Sequence, residues 1–149
     1  MVRPRLCIRA VAAVLAVCFG SALAADTSFT TELDPVAHTP AERADVMGTG
    51  KVTAELAGDR LSVSGTFSSL PSPATGAQLR MGLAMGVPGP VIGELSATQS
   101  TEGSISGSVT LSSTQIAALA KSAIYVQLNS TRAPDGNLWG WLQSPAGDQ

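Results

Sequence analysis

Tyr125-Val-Gln-Leu-Asn-Ser-Thr-Arg-Ala-Pro-Asp-Gly-Asn-Leu-Trp-Gly-Trp-Leu142 reads as strand, turn, strand. Apolar residues alternate with other types on both sides of Pro134-Asp135-Gly136. Successive side chains of a pleated strand point to opposite faces. That period places Leu138, Gly140 and Leu142 on one face, together with Val126 and Leu128 of the preceding strand, and predicts that this face looks into a core. Trp139, Trp141, Tyr125, Gln127 and Asn129 fall on the opposite face. Both tryptophans and the only tyrosine of the chain therefore sit in one hairpin. Pro134-Asp135-Gly136 suits a type I turn closed by a residue at positive φ, which glycine tolerates best.

The residues upstream repeat the pattern. Thr27 to Leu33 predicts a first strand. Asp34 to Thr49 is a polar loop broken by Pro35, Pro40 and Gly48. Val52, Ala54 and Leu56 alternate, Ala57-Gly58-Asp59-Arg60 turns the chain, and Leu61, Val63, Gly65 and Phe67 carry the apolar face back. Alternation on both sides of a short glycine-containing turn is a hairpin signal. Leu70-Pro71-Ser72-Pro73 ends that strand. In the next, Ala77, Leu79 and Met81 face one way and Gln78 and Arg80 the other. Val87-Pro88-Gly89-Pro90 is a break, Val91 to Leu95 a short strand, and Ser104 to Leu111 another. Ser112 to Ser122 is the one helical segment: Ser112 and Gln115 have capping-box spacing, and Ile116 and Leu119 share a face. Many short strands separated by turn signals point to an all-β sandwich or barrel.

The 149-residue chain starts with the features of a secretory signal. Arg3, Arg5 and Arg9 form a positive n-region, Ala10 to Phe19 an apolar run, and Ala22-Leu23-Ala24 a small-x-small cleavage site. The run is shorter than the ~20 apolar residues needed to span a bilayer. The expected organisation is a cleaved signal over 1–24 and one domain over 25–149, in a secreted or periplasmic protein with no transmembrane segment after cleavage. Cys7 and Cys18 both lie in the signal, so the mature chain must be stable without disulfides. Cleavage also removes three arginines and none of the 11 acidic residues. The remaining chain is acidic and has no basic run, which argues against nucleic acid and anionic membranes as partners.

Four stretches resemble the CHRD domain, the repeated domain of chordin that also occurs alone in secreted bacterial proteins. They are Leu61-Ser-Val-Ser-Gly-Thr-Phe-Ser-Ser-Leu70, Ala74-Thr-Gly-Ala-Gln-Leu-Arg80, Gly103 to Leu119, and Ile124 to Asn129 with Pro134 to Leu142. The resemblance covers nearly the whole mature chain, and its closing Pro-x-Gly-x-Leu-x-Gly-x-Leu is the most specific part. It implies an immunoglobulin-like, superoxide-dismutase-like Greek-key β-sandwich of about eight strands with one short helix. At positions where the family often shows histidines, this chain has Gln78, Arg80 and Asn129.

Catalytic and metal chemistry find little support in the residues. A dismutase-like copper and zinc site needs several imidazoles, and the chain has one histidine, His38, in a Pro-flanked loop. Asp34, Glu42 and Asp45 lack EF-hand spacing. Gly103-Ser-Ile-Ser-Gly107 is not a nucleophile elbow, and Gly48-Thr-Gly-Lys51 is not a P-loop. Asn129-Ser130-Thr131 matches a glycosylation sequon. No metal, cofactor or catalytic residue is expected; a dismutase-like catalytic protein is the disfavoured alternative. The expected function is a non-catalytic binding or structural module contacting an envelope protein or a polysaccharide. A surface assembly using open sheet edges is a further possibility. The expected contact surface is a ledge of Trp139, Trp141, Tyr125, Gln127 and Asn129. Two exposed indoles there would offer flat apolar area with N–H donors at its edge. The competing expectation is that the indoles are covered, by the 34–49 loop or by the helix, because tryptophan is highly buried on average.

Overall fold

A computed structural model describes residues 27–143. The signal expected over 1–24 lies outside the described residues. The element order is β1 (Thr27–Pro35), a 3-10 turn (Arg43–Asp45), β2 (Thr49–Ala57), β3 (Arg60–Ser68), β4 (Ala74–Met81), β5 (Val91–Ala97), β6 (Gly103–Thr110), α1 (Ser113–Ala120), β7 (Ile124–Ser130) and β8 (Leu138–Trp141). The all-β reading and the short helix hold. Among the described residues no helix is long and apolar enough to cross a membrane.

The sandwich does not hold. Instead of an immunoglobulin-like or superoxide-dismutase-like open Greek-key sandwich, the strands close into one antiparallel barrel in the order β1-β2-β3-β6-β5-β4-β7-β8. Closure is the work of two strands that each divide their length between two neighbours. Thr27 to Leu33 of β1 pair with β2, whereas Asp34 and Pro35 pair with Trp139 and Leu138 of β8. In β5, Val91 to Leu95 lie along β4, whereas Ser96 and Ala97 pair with Ser106 and Ile105 of β6. Alternation decides which side chains face inward in either architecture. It carries no information about which backbone edges meet, so a sandwich and a barrel look alike in sequence.

The barrel interior is apolar. Leu33, Val52, Leu61, Leu79, Ile105, Val126, Leu128 and Leu138 are all buried, each at an inward position of its strand. Leu142, just past β8, is fully buried with them. Gly140 faces inward between the two indoles, and a Cβ there would lie 2.5 Å from Glu32 O and 2.9 Å from Leu33 Cδ2. Its missing side chain is what lets β1 and β8 meet. The helix starts as its sequence predicts: Gln115 N donates to Ser112 Oγ, and Ser112 N donates to Gln115 Oε1. Leu119 is buried and Ile116 packs beside it against the core.

Candidate functional site

β7 and β8 pair with Tyr125 opposite Trp141 and Gln127 opposite Trp139. This register places Tyr125, Gln127, Trp139 and Trp141 together on the outer face of the barrel. β4 lies on the other side of β7, with Gln78 opposite Gln127 and Arg80 opposite Tyr125. Asn129 joins them through its Oδ1, which accepts from Gln127 Nε2 at 2.9 Å.

The three aromatic rings form one cluster. Tyr125 and Trp141 lie with centroids 4.3 Å apart and tilted by 34°. Trp139 meets Tyr125 edge-on at 5.8 Å and 87°, and Trp141 at 5.8 Å and 65°. Edge-to-face and tilted arrangements let the positive ring edge meet the negative face. The cluster is not an open ledge. Tyr125 is fully buried and Trp141 is 9% exposed, whereas Trp139 is half-buried.

The segment from Gly82 to Pro90, between β4 and β5, provides much of this cover. Gly89 N donates to Tyr125 Oη at 3.1 Å, and Tyr125 Oη donates to Gly89 O at 3.3 Å. Arg80 Nε donates to the same carbonyl at 2.8 Å. The tip of the segment turns outward, leaving Leu83 94% exposed. Trp139 is the one ring of the three that is left partly exposed.

Beside Trp139 lies a cleft of about 240 Å³, lined by Val36, Ala37, Arg80, Pro88, Tyr125, Gln127, Asp135 and Trp139. Val36, Ala37 and Asp135 also border a second cleft of about 260 Å³ that holds His38, Glu42, Asp45 and Arg132. The polar groups here brace the 34–49 loop, and one of them joins it to the β7–β8 turn. His38 Nδ1 lies 2.7 Å from Val36 O. Arg132 pairs with Asp45 at 3.8 Å, with both side chains well exposed. The Glu42 carboxylate accepts from Thr39 N at 2.9 Å and Thr39 Oγ1 at 2.8 Å. Those two hydrogen bonds, the backbone one foremost, hold its pKa below the ordinary glutamate value, and the nearby His38 adds to the effect.

The turn that sets Asp135 is built as its sequence predicts. Gly136 N donates to Ala133 O at 3.2 Å, and Gly136 has φ +138°. Beneath it, the buried Asn137 accepts from Ser130 Oγ at 2.8 Å and donates through Nδ2 to Met47 O at 2.9 Å, fastening the 34–49 loop to the hairpin. Nothing in the local sequence distinguishes Asn137 from an ordinary turn residue. Pro88 was equally hidden, because it reaches the cleft from a segment that reads only as a break. Arg80 was visible as an outward residue, although its neighbours were not. Asn129, the sequon asparagine, is partly buried within β7 and bonded to Gln127.

Gln78 and Arg80 of β4 and Asn129 of β7 are the residues that stand, by the resemblance, where the family often shows histidines. A cationic metal does not fit them. Arg80 contributes a fixed positive charge, and Gln78 Oε1 already accepts from Arg80 Nη1. Among the described residues, no group of three or more His, Cys, Asp and Glu side chains is gathered where a metal ion could be held.

An eight-stranded closed barrel with an aromatic cluster on its outer face and a cleft beside the cluster is thus the class of domain in hand. The chain belongs to the CHRD domain family, whose family model matches residues 29–142, from Phe29 in β1 to Leu142 just past β8. No curated protein and no solved structure matches the chain.

Proposed function

We propose that this CHRD-domain protein is a non-catalytic binding module, secreted or periplasmic, that holds an envelope polysaccharide or an extracytoplasmic protein against its Trp139 face. The carrying observation is the difference among the three aromatic residues. Tyr125 and Trp141 are buried beneath the 82–90 segment, whereas Trp139 is left half-open at the mouth of a cleft that also holds Arg80, Gln127 and Asp135. Partly exposed tryptophan in a rigid setting is the residue type most often found to dominate binding energy. The setting is rigid because the indole stands on a paired strand and against two other rings. The polar groups around the two clefts support binding over catalysis, since His38, Glu42, Asp45 and Arg80 each make a contact that fixes a loop or a neighbouring side chain.

Cross-linking to envelope extract tests the reading. The wild-type protein should capture a specific partner that Trp139→Ala loses while keeping its circular dichroism. Identical capture by both proteins would overturn the site. Metal analysis of the purified protein tests the non-catalytic part, and stoichiometric copper or zinc would overturn it.

A further inference from the structure

We infer that the cleft beside Trp139 takes an uncharged polysaccharide, with one sugar ring against the exposed part of the indole and the chain continuing past Val36 and Ala37 towards Arg132. This rests on the Trp139 face being the contact surface, and it adds the chemistry of what is bound.

Gln127 supplies the first observation. It is 6% exposed, and Nε2 donates to Asn129 Oδ1 at 2.9 Å and to Asp135 O at 3.0 Å. Both partners are acceptors, so the amide has only one orientation that satisfies them. That orientation leaves Oε1 with no donor among the described residues. Gln127 is one of the residues that line the cleft, and among the described residues no fully buried side-chain oxygen or nitrogen lacks a partner, so Oε1 is not sealed off from solvent. It is a fixed acceptor waiting for an O–H or N–H group. Arg80 complements it. After Nε donates to Gly89 O and Nη1 to Gln78 Oε1, the guanidinium still has N–H groups to give, since it carries five. A ligand for this cleft must donate at one point and accept at another while laying a flat apolar patch on the indole. Adjacent hydroxyls on a sugar ring do all three.

Charge narrows the class. Arg80 and Asp135 line the same cleft and make no ion pair with each other; the one ion pair among the described residues is Arg132 with Asp45. An anionic ligand drawn to Arg80 would also come close to the exposed Asp135, and a cationic one drawn to Asp135 would come close to Arg80, so neither charge gains a clear advantage. An uncharged ligand meets neither opposition. Shape narrows it further. Clefts of about 240 and 260 Å³ that share Val36, Ala37 and Asp135 fall below the roughly 300–1,000 Å³ of sites that enclose a small molecule. Two shallow neighbouring clefts suit consecutive units of a polymer. A peptide is the less favoured occupant. β7, which carries Tyr125 and Gln127 of the cleft, is paired on both sides by β4 and β8, so a peptide has no free edge of that strand on which to add its backbone.

The full-length secreted protein, labelled so that the Trp139 indole N–H is resolved by NMR, is titrated with cello-, manno- and chito-oligosaccharides, with oligogalacturonate and with a mixed peptide digest. The expected result is a saturable shift of the Trp139 signal with at least one uncharged oligosaccharide. Trp139→Ala should weaken the binding about tenfold or more, and Arg80→Gln should weaken it less. Preference for oligogalacturonate, abolished by Arg80→Gln, would overturn the uncharged class while leaving the Trp139 face intact. Response to the peptides alone would overturn the polysaccharide and again leave the face. No shift of the Trp139 signal by any probe overturns the saccharide, and the cross-linking result then decides whether the face binds anything at all.

Discussion

At the scale of single residues, the decisive contrasts lie within one hairpin. Gly136 sits at φ +138°, and an added Cβ would lie 3.1 Å from Gln127 Nε2 and 3.3 Å from Val36 Cγ1. Gly136→Ala therefore combines backbone strain with pressure on the amide that orients the cleft. Thermal unfolding should show a loss of about 1–3 kcal/mol, and an unchanged melting temperature would refute the strain. The indoles should report their different surroundings. In a Trp141→Phe variant, acrylamide should quench the remaining Trp139 readily; in a Trp139→Phe variant, Trp141 should be protected. Equal quenching of both would contradict the cover over Trp141. The turn glycine was legible in the sequence because turn chemistry is local. The burial of Tyr125 was not, because it depends on Gly89, which approaches from another part of the chain.

At the scale of elements, the helix and the 34–49 loop make opposite cases. The capping box of α1 is a local device, and both of its reciprocal hydrogen bonds form. Ser112→Ala removes one of them and leaves Gln115 N without its partner. The expected cost is about 1 kcal/mol in chemical denaturation, with Trp139 quenching unaffected. The loop has one local brace, Glu42 on Thr39, and is fastened to the rest of the molecule by a tertiary contact, Asn137 Nδ2 donating to Met47 O. Because the folded Glu42 has a lowered pKa, its contribution is present above the ordinary carboxylate range and fades as pH falls through the lowered value. Carbon NMR of the Glu42 carboxyl should give a midpoint below that of an ordinary glutamate. Thr39→Ala should raise the midpoint towards the ordinary value, and no change would dismiss the Thr39 hydroxyl as a cause.

At the scale of the whole molecule, the barrel has two weak seams. β2 and β3 pair along their full lengths, whereas β5 and β6 pair only at Ser96 with Ser106 and Ala97 with Ile105, and β1 and β8 only at Asp34 with Trp139 and Pro35 with Leu138. Segments with sparse backbone pairing open at lower free energy than densely paired ones. Amide exchange should be fastest, among the strands, in the β5–β6 and β1–β8 seams and slowest where β2 pairs with β3. Uniform protection around the barrel would show that closure is cooperative throughout. The β5–β6 seam lies away from Trp139, so its opening should leave the cleft in place, whereas opening of the β1–β8 seam would free the backbone of Trp139 itself.

The sequence by itself determined the secondary structure, the inward and outward faces, the helix cap, the turn at Gly136 and the family resemblance. These follow from backbone sterics, the two-residue period of a strand and short motifs, all of which act between residues close in the chain. The tertiary structure decided that eight strands close into a barrel, because closure depends on pairings between strands distant in sequence, β1 with β8, β3 with β6 and β4 with β7. It also decided which aromatic ring stays open. Alternation placed Trp139, Trp141 and Tyr125 on one outer face, but an outer face is exposed only where no loop lies over it. The 82–90 segment covers Tyr125 and lies against Trp141, and it leaves Trp139 beside Arg80, Gln127 and Asp135.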